Sequence, residues 1–251
     1  MDKYIFHAST VAAHFTSTDG KQDFGHEYSL LFHSNAPHEH HASMGGRDGQ
    51  DVTFTDSFVH VSFKTEGGVY TTIARSGLKK FNVKGVITAD SIEGGIMTVY
   101  REEWYTDPNR PKRARILPLP PVIENLQVGG LPYRLGQELK LPEAFHYDEA
   151  TRQRYFRGEG AEIEPVGVST SPGRRATTKY GVIRFSADTR RITIPEFGIV
   201  YFADWTWQPT DIHTPAKTAQ QVQLLRYDLK NPGTGTTSTS VGNGTPFGGS
   251  H

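Results

Sequence analysis

The densest set of chemistry-capable side chains in this 251-residue chain is His38-Glu39-His40-His41. Eight of the eleven histidines fall within the first 60 residues, at positions 7, 14, 26, 33, 38, 40, 41 and 60. On an extended strand, residues i and i+2 point the same way. His38 and His40 can therefore share a divalent metal, with His41, Glu39 or a distant carboxylate completing the set. A cupin-like site needs a His-x-His followed at short range by a strand carboxylate, and here Ala-Ser-Met-Gly-Gly-Arg follows instead. The competing expectation is a polar surface loop with solvated imidazoles, which the Gly-, His-, Asp- and Asn-rich composition of residues 34–51 favours.

Trp205-Thr-Trp207 sets two indoles on one face of an extended segment, about 7 Å apart by the strand rise. Paired aromatics can stack on sugar rings or anchor a protein interface. Tyr201 and Phe247 join Trp205 and Trp207 as candidate interface or binding residues, and packing in the core or at a sheet edge is the alternative. Ser76-Gly-Leu-Lys79 matches a Ser-x-x-Lys nucleophile motif by letter. That chemistry needs the serine at a helix start, with the lysine one turn on to take its proton. Here the residues lie between predicted strands, and no Ser-Asp-Asn or Lys-Thr-Gly partner occurs. Arg110-Pro-Lys112-Arg113-Ala-Arg115 is cationic but carries no interleaved aromatics, so a solvated hairpin tip is expected rather than a nucleic-acid contact. Asp19–Asp23 and Asp48–Asp51 lack the acidic density and terminal Glu of a calcium loop and read as Asx turns. No catalytic residue is assigned. The only candidate cofactor is a divalent metal at His38, His40 and His41.

Composition narrows the classes further. Lys+Arg and Asp+Glu balance at 27 each, so no net field steers the chain to nucleic acid or an anionic membrane. The chain has no cysteine, which excludes disulfides, zinc–thiolate sites, iron–sulfur clusters and cysteine nucleophiles. No apolar run reaches the roughly 18–20 residues that span a bilayer. The N-terminus, Met-Asp-Lys-Tyr-Ile-Phe-His-Ala, lacks the apolar stretch of a signal peptide. A cytosolic chain, export by a signal-independent route, and a sequence starting after its signal all fit.

The elements that must position these groups are strands. The 26 glycines and 15 prolines indicate a turn-dense β protein. Ile192–Ile194 and Ile199–Phe202 flank a Pro195-Glu-Phe-Gly198 turn, and the same grammar recurs at Phe81–Ala89 and Ile123–Tyr133. Further strands are expected at Tyr4–Ala8, His26–His33, Phe58–Phe63, Val69–Ala74, Ile96–Tyr100, Tyr180–Ser186 and Gln221–Leu229. Gly67-Gly68, Ser76-Gly77 and Gly94-Gly95 are read as the turns between them. Val59, Val61 and Phe63 share a face expected to be buried. Val222 and Leu224 are expected on one face, with Leu225, Tyr227 and Leu229 on the other. Asp107–Pro121, basic then proline-rich, is expected to be irregular and to separate an N-terminal β half (1–106) from a C-terminal one (122–230). Residues 142–157 carry the only helical character, with Pro142 at the start and Gly158 as stop. From Asn231 onward the chain is Gly/Thr/Ser-rich, a tail (231–251) that needs something to lie against, most simply a neighbouring subunit. The predicted fold is an all-β antiparallel sandwich, elaborated or in two packed halves, with at most one short helix.

Four segments resemble those of uncharacterised bacterial β-rich proteins near the choice-of-anchor type of surface domain. They are Gly77–Asp90, Ile123–Pro132, Ile192–Phe202 and Val222–Leu229, the last followed by a low-complexity tail. The resemblance implies a surface-type β fold and a bacterial origin, and carries over no catalytic residue. A non-enzymatic, self-assembling surface or filament subunit is therefore expected. It would be a homo-oligomer or polymer, extracellular or at the cell surface, or alternatively cytoplasmic. The other expectations are a glycan- or ligand-binding module using Trp205 and Trp207, and a metal-dependent enzyme using the histidines.

Overall fold

The structure, a computed structural model, describes residues 4–20, 23–32, 37–48, 51–101, 103, 115–135, 146–148, 153–155, 163–165, 175–185, 191–209, 218–231 and 233–246. Its long N-terminal strands are β1 (Tyr4–Ser17), β2 (Asp23–Phe32), β3 (His38–Asp48), β4 (Val52–Glu66), β5 (Val69–Val83) and β6 (Ile87–Arg101). Short strands follow: β7 (Arg115–Pro118), β8 (Val122–Glu124), β9 (Gln127–Val128), β10 (Leu131–Leu135), β11 (His146–Asp148), β12 (Gln153–Tyr155), β13 (Ile163–Pro165), β14 (Arg175–Thr178), β15 (Gly181–Phe185) and β16 (Arg191–Ile194). Three long strands complete the series, β17 (Gly198–Pro209), β18 (Thr218–Leu229) and β19 (Gly233–Pro246).

One sheet runs β14-β15-β16-β17-β18-β19-β1-β2, and the other runs β13-β10-β9-β6-β5-β4-β3 with β7 and β8 also paired to β6. Every ladder is antiparallel. The expected all-β sandwich is therefore observed. Both sheets draw strands from before and after residues 107–114.

The Ile192–Phe202 hairpin forms as its composition predicts. Ile194 pairs with Gly198 around a tight turn in which Phe197 N–H donates to Ile194 O at 3.2 Å. Ile192, Ile194, Val200 and Phe202 are all buried. Val59, Val61 and Phe63 likewise point into the core. At one end the sheets are held apart by large side chains, with Phe81 against Tyr227 (6.2 Å between ring centroids) and Tyr133 against Phe202 (6.4 Å).

Midway along the strands the spacer changes to small residues. Ser76-Gly77 and Gly94-Gly95, expected as turns, lie mid-strand, with Ser76 paired to Gly94. Ser76 and Gly94 are small because the opposite sheet comes close, whereas Gly77 and Gly95 lie under side chains of their own sheet, Phe58 and Leu119. Ser76 Oγ donates to Val11 O at 3.0 Å, and Ser238 Oγ donates to Ser76 O at 2.9 Å. A side chain on Gly94 would run into Leu224. Thr10 and Ser240 share a buried hydrogen bond of 2.9 Å nearby.

Ladder irregularities cross the first sheet at this level. Register shifts between Val11 and Ala13, and the pairings skip Leu224 and Ser238, the latter at φ 46°. At β1 the shift is a bulge, which turns two successive side chains to one side, and Ala12 and Ala13 are both buried. At Leu224 and Ser238 the pairing is interrupted and resumes in the same register, with Gln223 opposite Thr239 and Leu225 opposite Thr237; Leu224 with Leu225 and Thr237 with Ser238 are all buried. The expected division of β18 into two faces is thereby corrected: Leu224, Leu225, Tyr227 and Leu229 all belong to the core.

Four other expectations are corrected. Residues 34–51 are not a loop, since His38–Asp48 forms β3 and pairs along β4. Its half-buried His38, His40, Ala42 and Met44 alternate with exposed Glu39, His41 and Ser43. An edge strand needs only this weak alternation, which a polar composition hides. Within 142–157 the described residues form the antiparallel pair β11–β12, not a helix; Tyr147 and Tyr155 suit strands better than a first-turn proline suits a helix. The irregular segment 107–121 contains β7, in which Pro118 is tolerated as the last strand residue; residues 107–114 lie outside the described residues.

The fourth concerns the Gly/Thr/Ser segment, which lies against its own chain rather than a neighbouring subunit. β19 is inserted between β1 and β18, in the interior of the first sheet. Its small side chains suit a strand whose inner face meets Ser76, and both its edges are satisfied by backbone ladders.

The hydroxyls of Thr72, Thr98 and Thr237 are buried without a hydrogen-bond partner among the described residues. A buried hydroxyl without a partner costs free energy that a methyl of the same shape does not. Thr237→Val is expected to raise stability by about 1 kcal/mol, read as a higher urea midpoint at unchanged m-value. A lower midpoint would contradict the burial described here.

Candidate functional site

Strand alternation decides where the histidines go. β3 pairs antiparallel with β4, setting His38 opposite Phe63, His40 opposite Val61 and His41 opposite His60. His38 and His40 therefore share the half-buried inner side with Ala42 and Met44, while His41 stands on the exposed outer side. The three proposed metal ligands are divided between two faces of one strand. Among the described residues, no group of three or more His, Asp or Glu is placed to hold a metal ion.

On the outer face a different cluster forms, drawn from four strands. The His41 ring lies 5.9 Å from His60 and stacks at 6.0 Å on Phe58. Ser43 Oγ and His41 Nε2 share a 3.2 Å hydrogen bond, and Glu39 Oε1 sits 3.8 Å from His60 Nδ1. Arg75, opposite His60 on β5, pairs with Glu93 on β6 and lies over the Phe58 ring at 5.9 Å. Phe58 covers Gly77, its cross-strand partner, where a side chain on the glycine would meet the ring edge at 2.7 Å. Placing Val59, Val61 and Phe63 inward leaves Phe58 and His60 on the other face by alternation, but nothing in the sequence brings in Arg75 and Glu93. Only the cross-strand register brings those two in, and no local motif announces it.

Burial pushes the His60 imidazole below its ordinary value of 6.5, against the opposing pull of Glu39; His41, Arg75 and His40 add to the depression. His26 is depressed too, by burial, and its Nδ1 shares a 2.7 Å hydrogen bond with Ser57 Oγ. That bond joins β2 of one sheet to β4 of the other. A folded-state value below the unfolded one means that the unfolded chain binds more protons. The histidine contribution to stability is therefore complete above about pH 7 and is lost as pH falls through 6.5 toward the depressed folded values. Thermal unfolding from pH 7.5 to 5 is expected to show a falling Tm, with a shallower slope in His26→Gln. An unchanged slope in that variant would remove His26 from the effect.

The remaining predicted residues are spread out. Trp205 and Trp207 lie on β17 opposite Val222 and Gln220 of β18. Among the described residues β16 pairs with β17 from Gly198 to Tyr201, and the tryptophan stretch lies beyond those pairs. Tyr201 is half-buried and carries the Arg226 guanidinium over its ring at 4.0 Å. Phe247 lies outside the described residues. The structure therefore places Trp205, Trp207 and Tyr201 on one strand, in a different sheet from the histidines. Ser76 and Lys79 are strand residues with structural partners: Ser76 bonds to Val11, and Lys79 Nζ donates to Ser91 Oγ at 2.9 Å.

No protein-family model, curated protein or solved structure matches the chain. No helix among the described residues is long and apolar enough to cross a membrane.

Proposed function

We propose that this protein is a non-enzymatic structural subunit, a bacterial surface or filament component that assembles with copies of itself through open strand edges. The supporting observation is the pair of terminal strands. β2 ends one sheet and β3 ends the other, over ten and eleven residues. Neither strand contains lysine or proline. Lysine and proline are among the residues that blunt long edges; the charges here are Asp23 and Glu27 on one strand and Glu39, Arg47 and Asp48 on the other. Among the described residues no further strand pairs to the outer side of either, and such an edge offers its backbone donors and acceptors to another chain. The His41–Phe58–His60 cluster flanks the β3 edge and supplies side-chain contact area beside it.

The test is size against concentration, by sedimentation velocity. The wild-type chain is expected to grow beyond its 27.9 kDa monomer as concentration rises. Ser43 is exposed, and a side chain at Gly45 meets open space, so Ser43→Lys with Gly45→Lys leaves the fold intact. This variant is expected to weaken assembly at least tenfold by placing two charges on the edge. A wild-type chain that stays monomeric into the millimolar range refutes the proposal.

A further inference from the structure

We propose that β19 is an exchangeable strand, able to leave its slot between β1 and β18 and fill the same slot in a second copy of this chain. The inference rests on the assembly reading above and specifies a second route by which copies join.

Three observations carry it. First, β19 occupies an interior position of its sheet with almost no apolar side chain of its own. Among its residues of described burial, Gly233, Gly235, Thr237, Ser238 and Ser240 are buried. The contacts described for it are the two backbone ladders and two hydroxyl bonds, Ser238 to Ser76 O and Ser240 to Thr10. The slot itself is selective. A side chain at position 235 would collide with the Tyr227 phenol, and one at 233 with the Thr16 and Ser17 backbone. It reads a small-residue strand of this spacing, which a second copy supplies.

Second, the connection from β18 is short. Leu229 ends β18 and Gly233 begins β19. Gly233 sits at φ 151°, a conformation open to glycine, and the sequence places Pro232 between the strands. A short connection favours exchange, because it can straighten while every other contact is remade with the partner.

Third, the turn is latched by single exposed hydrogen bonds. Thr18 Oγ1 donates to Lys230 O at 2.9 Å, and Lys84 Nζ donates to Asn231 Oδ1 at 2.9 Å. Lys230 N–H donates to Phe197 O at 2.7 Å. Removing the Thr18 bond loosens the hinge without touching the slot.

The absence of cysteine makes a direct test available. Thr16 and Thr234 are cross-strand partners on β1 and β19. In Thr16→Cys/Thr234→Cys, a closed monomer oxidises to an intrachain disulfide, whereas exchanged copies become covalently linked to each other. Oxidised oligomer fractions run on a non-reducing denaturing gel are expected to show linked chains, and adding Thr18→Val is expected to raise the linked fraction several-fold. If the first pair prevents folding, His14→Cys/Thr236→Cys asks the same question two residues along the ladder. Oligomers holding only intrachain disulfides overturn strand exchange and leave edge assembly standing. No oligomer at any concentration overturns both.

Discussion

Exchanging bulk between Gly94 and Leu224 is expected to reveal coupling across the two sheets of about 1–2 kcal/mol. A Cβ at position 94 would lie 2.6 Å from Leu224 Cδ1 and 2.9 Å from its Cγ. Both residues are buried. Gly94→Ala should therefore overpack the junction, at a cost of about 1–3 kcal/mol. Leu224→Ala should open a void in the same place, at a cost of about 2–5 kcal/mol. In the double variant the added methyl occupies part of the volume that the leucine vacates, so the two losses fall short of additivity. Urea denaturation of the four proteins measures this directly. Losses additive to within about 0.5 kcal/mol would mean that the sheets do not meet there.

That junction also marks the limit of what the sequence could reveal. The β class, the Ile192–Phe202 hairpin and the inward face of Val59, Val61 and Phe63 follow from local chemistry, because a strand's period and a turn's residues are written in consecutive positions. Ser76-Gly77 and Gly94-Gly95 carry the same letters as turns, yet Ser76 and Gly94 serve close approach between sheets. The deciding partner, Leu224 or Ser238, lies more than a hundred residues away. An interruption of the ladders causes the misreading of Leu224 and Leu225: strict alternation assigns them to opposite faces, yet both are in the core where the pairing of β18 with β17 and β19 breaks off and resumes in the same register. The histidines show the opposite case. Alternation alone, applied to His38–His41 as a strand, divides them between two faces. A polar composition disguised the strand and so hid that division. Arg75 and Glu93 join the outer cluster only through register, which no single strand encodes.

Truncating the chain ahead of Gly233 is expected to abolish cooperative unfolding, the largest effect of any change considered. The deletion removes an interior strand, so β1 and β18 face each other across a gap of two strand spacings, about 9.5 Å. Direct backbone bonds cannot bridge that distance. Their inward donors and acceptors lose partners along the whole ladder, and Ser76 O and Thr10 lose Ser238 and Ser240. Near-UV circular dichroism and a thermal melt would register the loss as a flat signal without a transition. A truncated chain that melts like the full one would mean that β1 and β18 can close on each other, and that β19 is an accessory. The same physics governs how assembly must be probed. A deletion that unfolds the subunit lowers particle size whether or not β19 joins copies. Only a chain with β19 in place, and a crosslink that reports which copy supplied it, separates a strand that holds one molecule together from a strand that joins two.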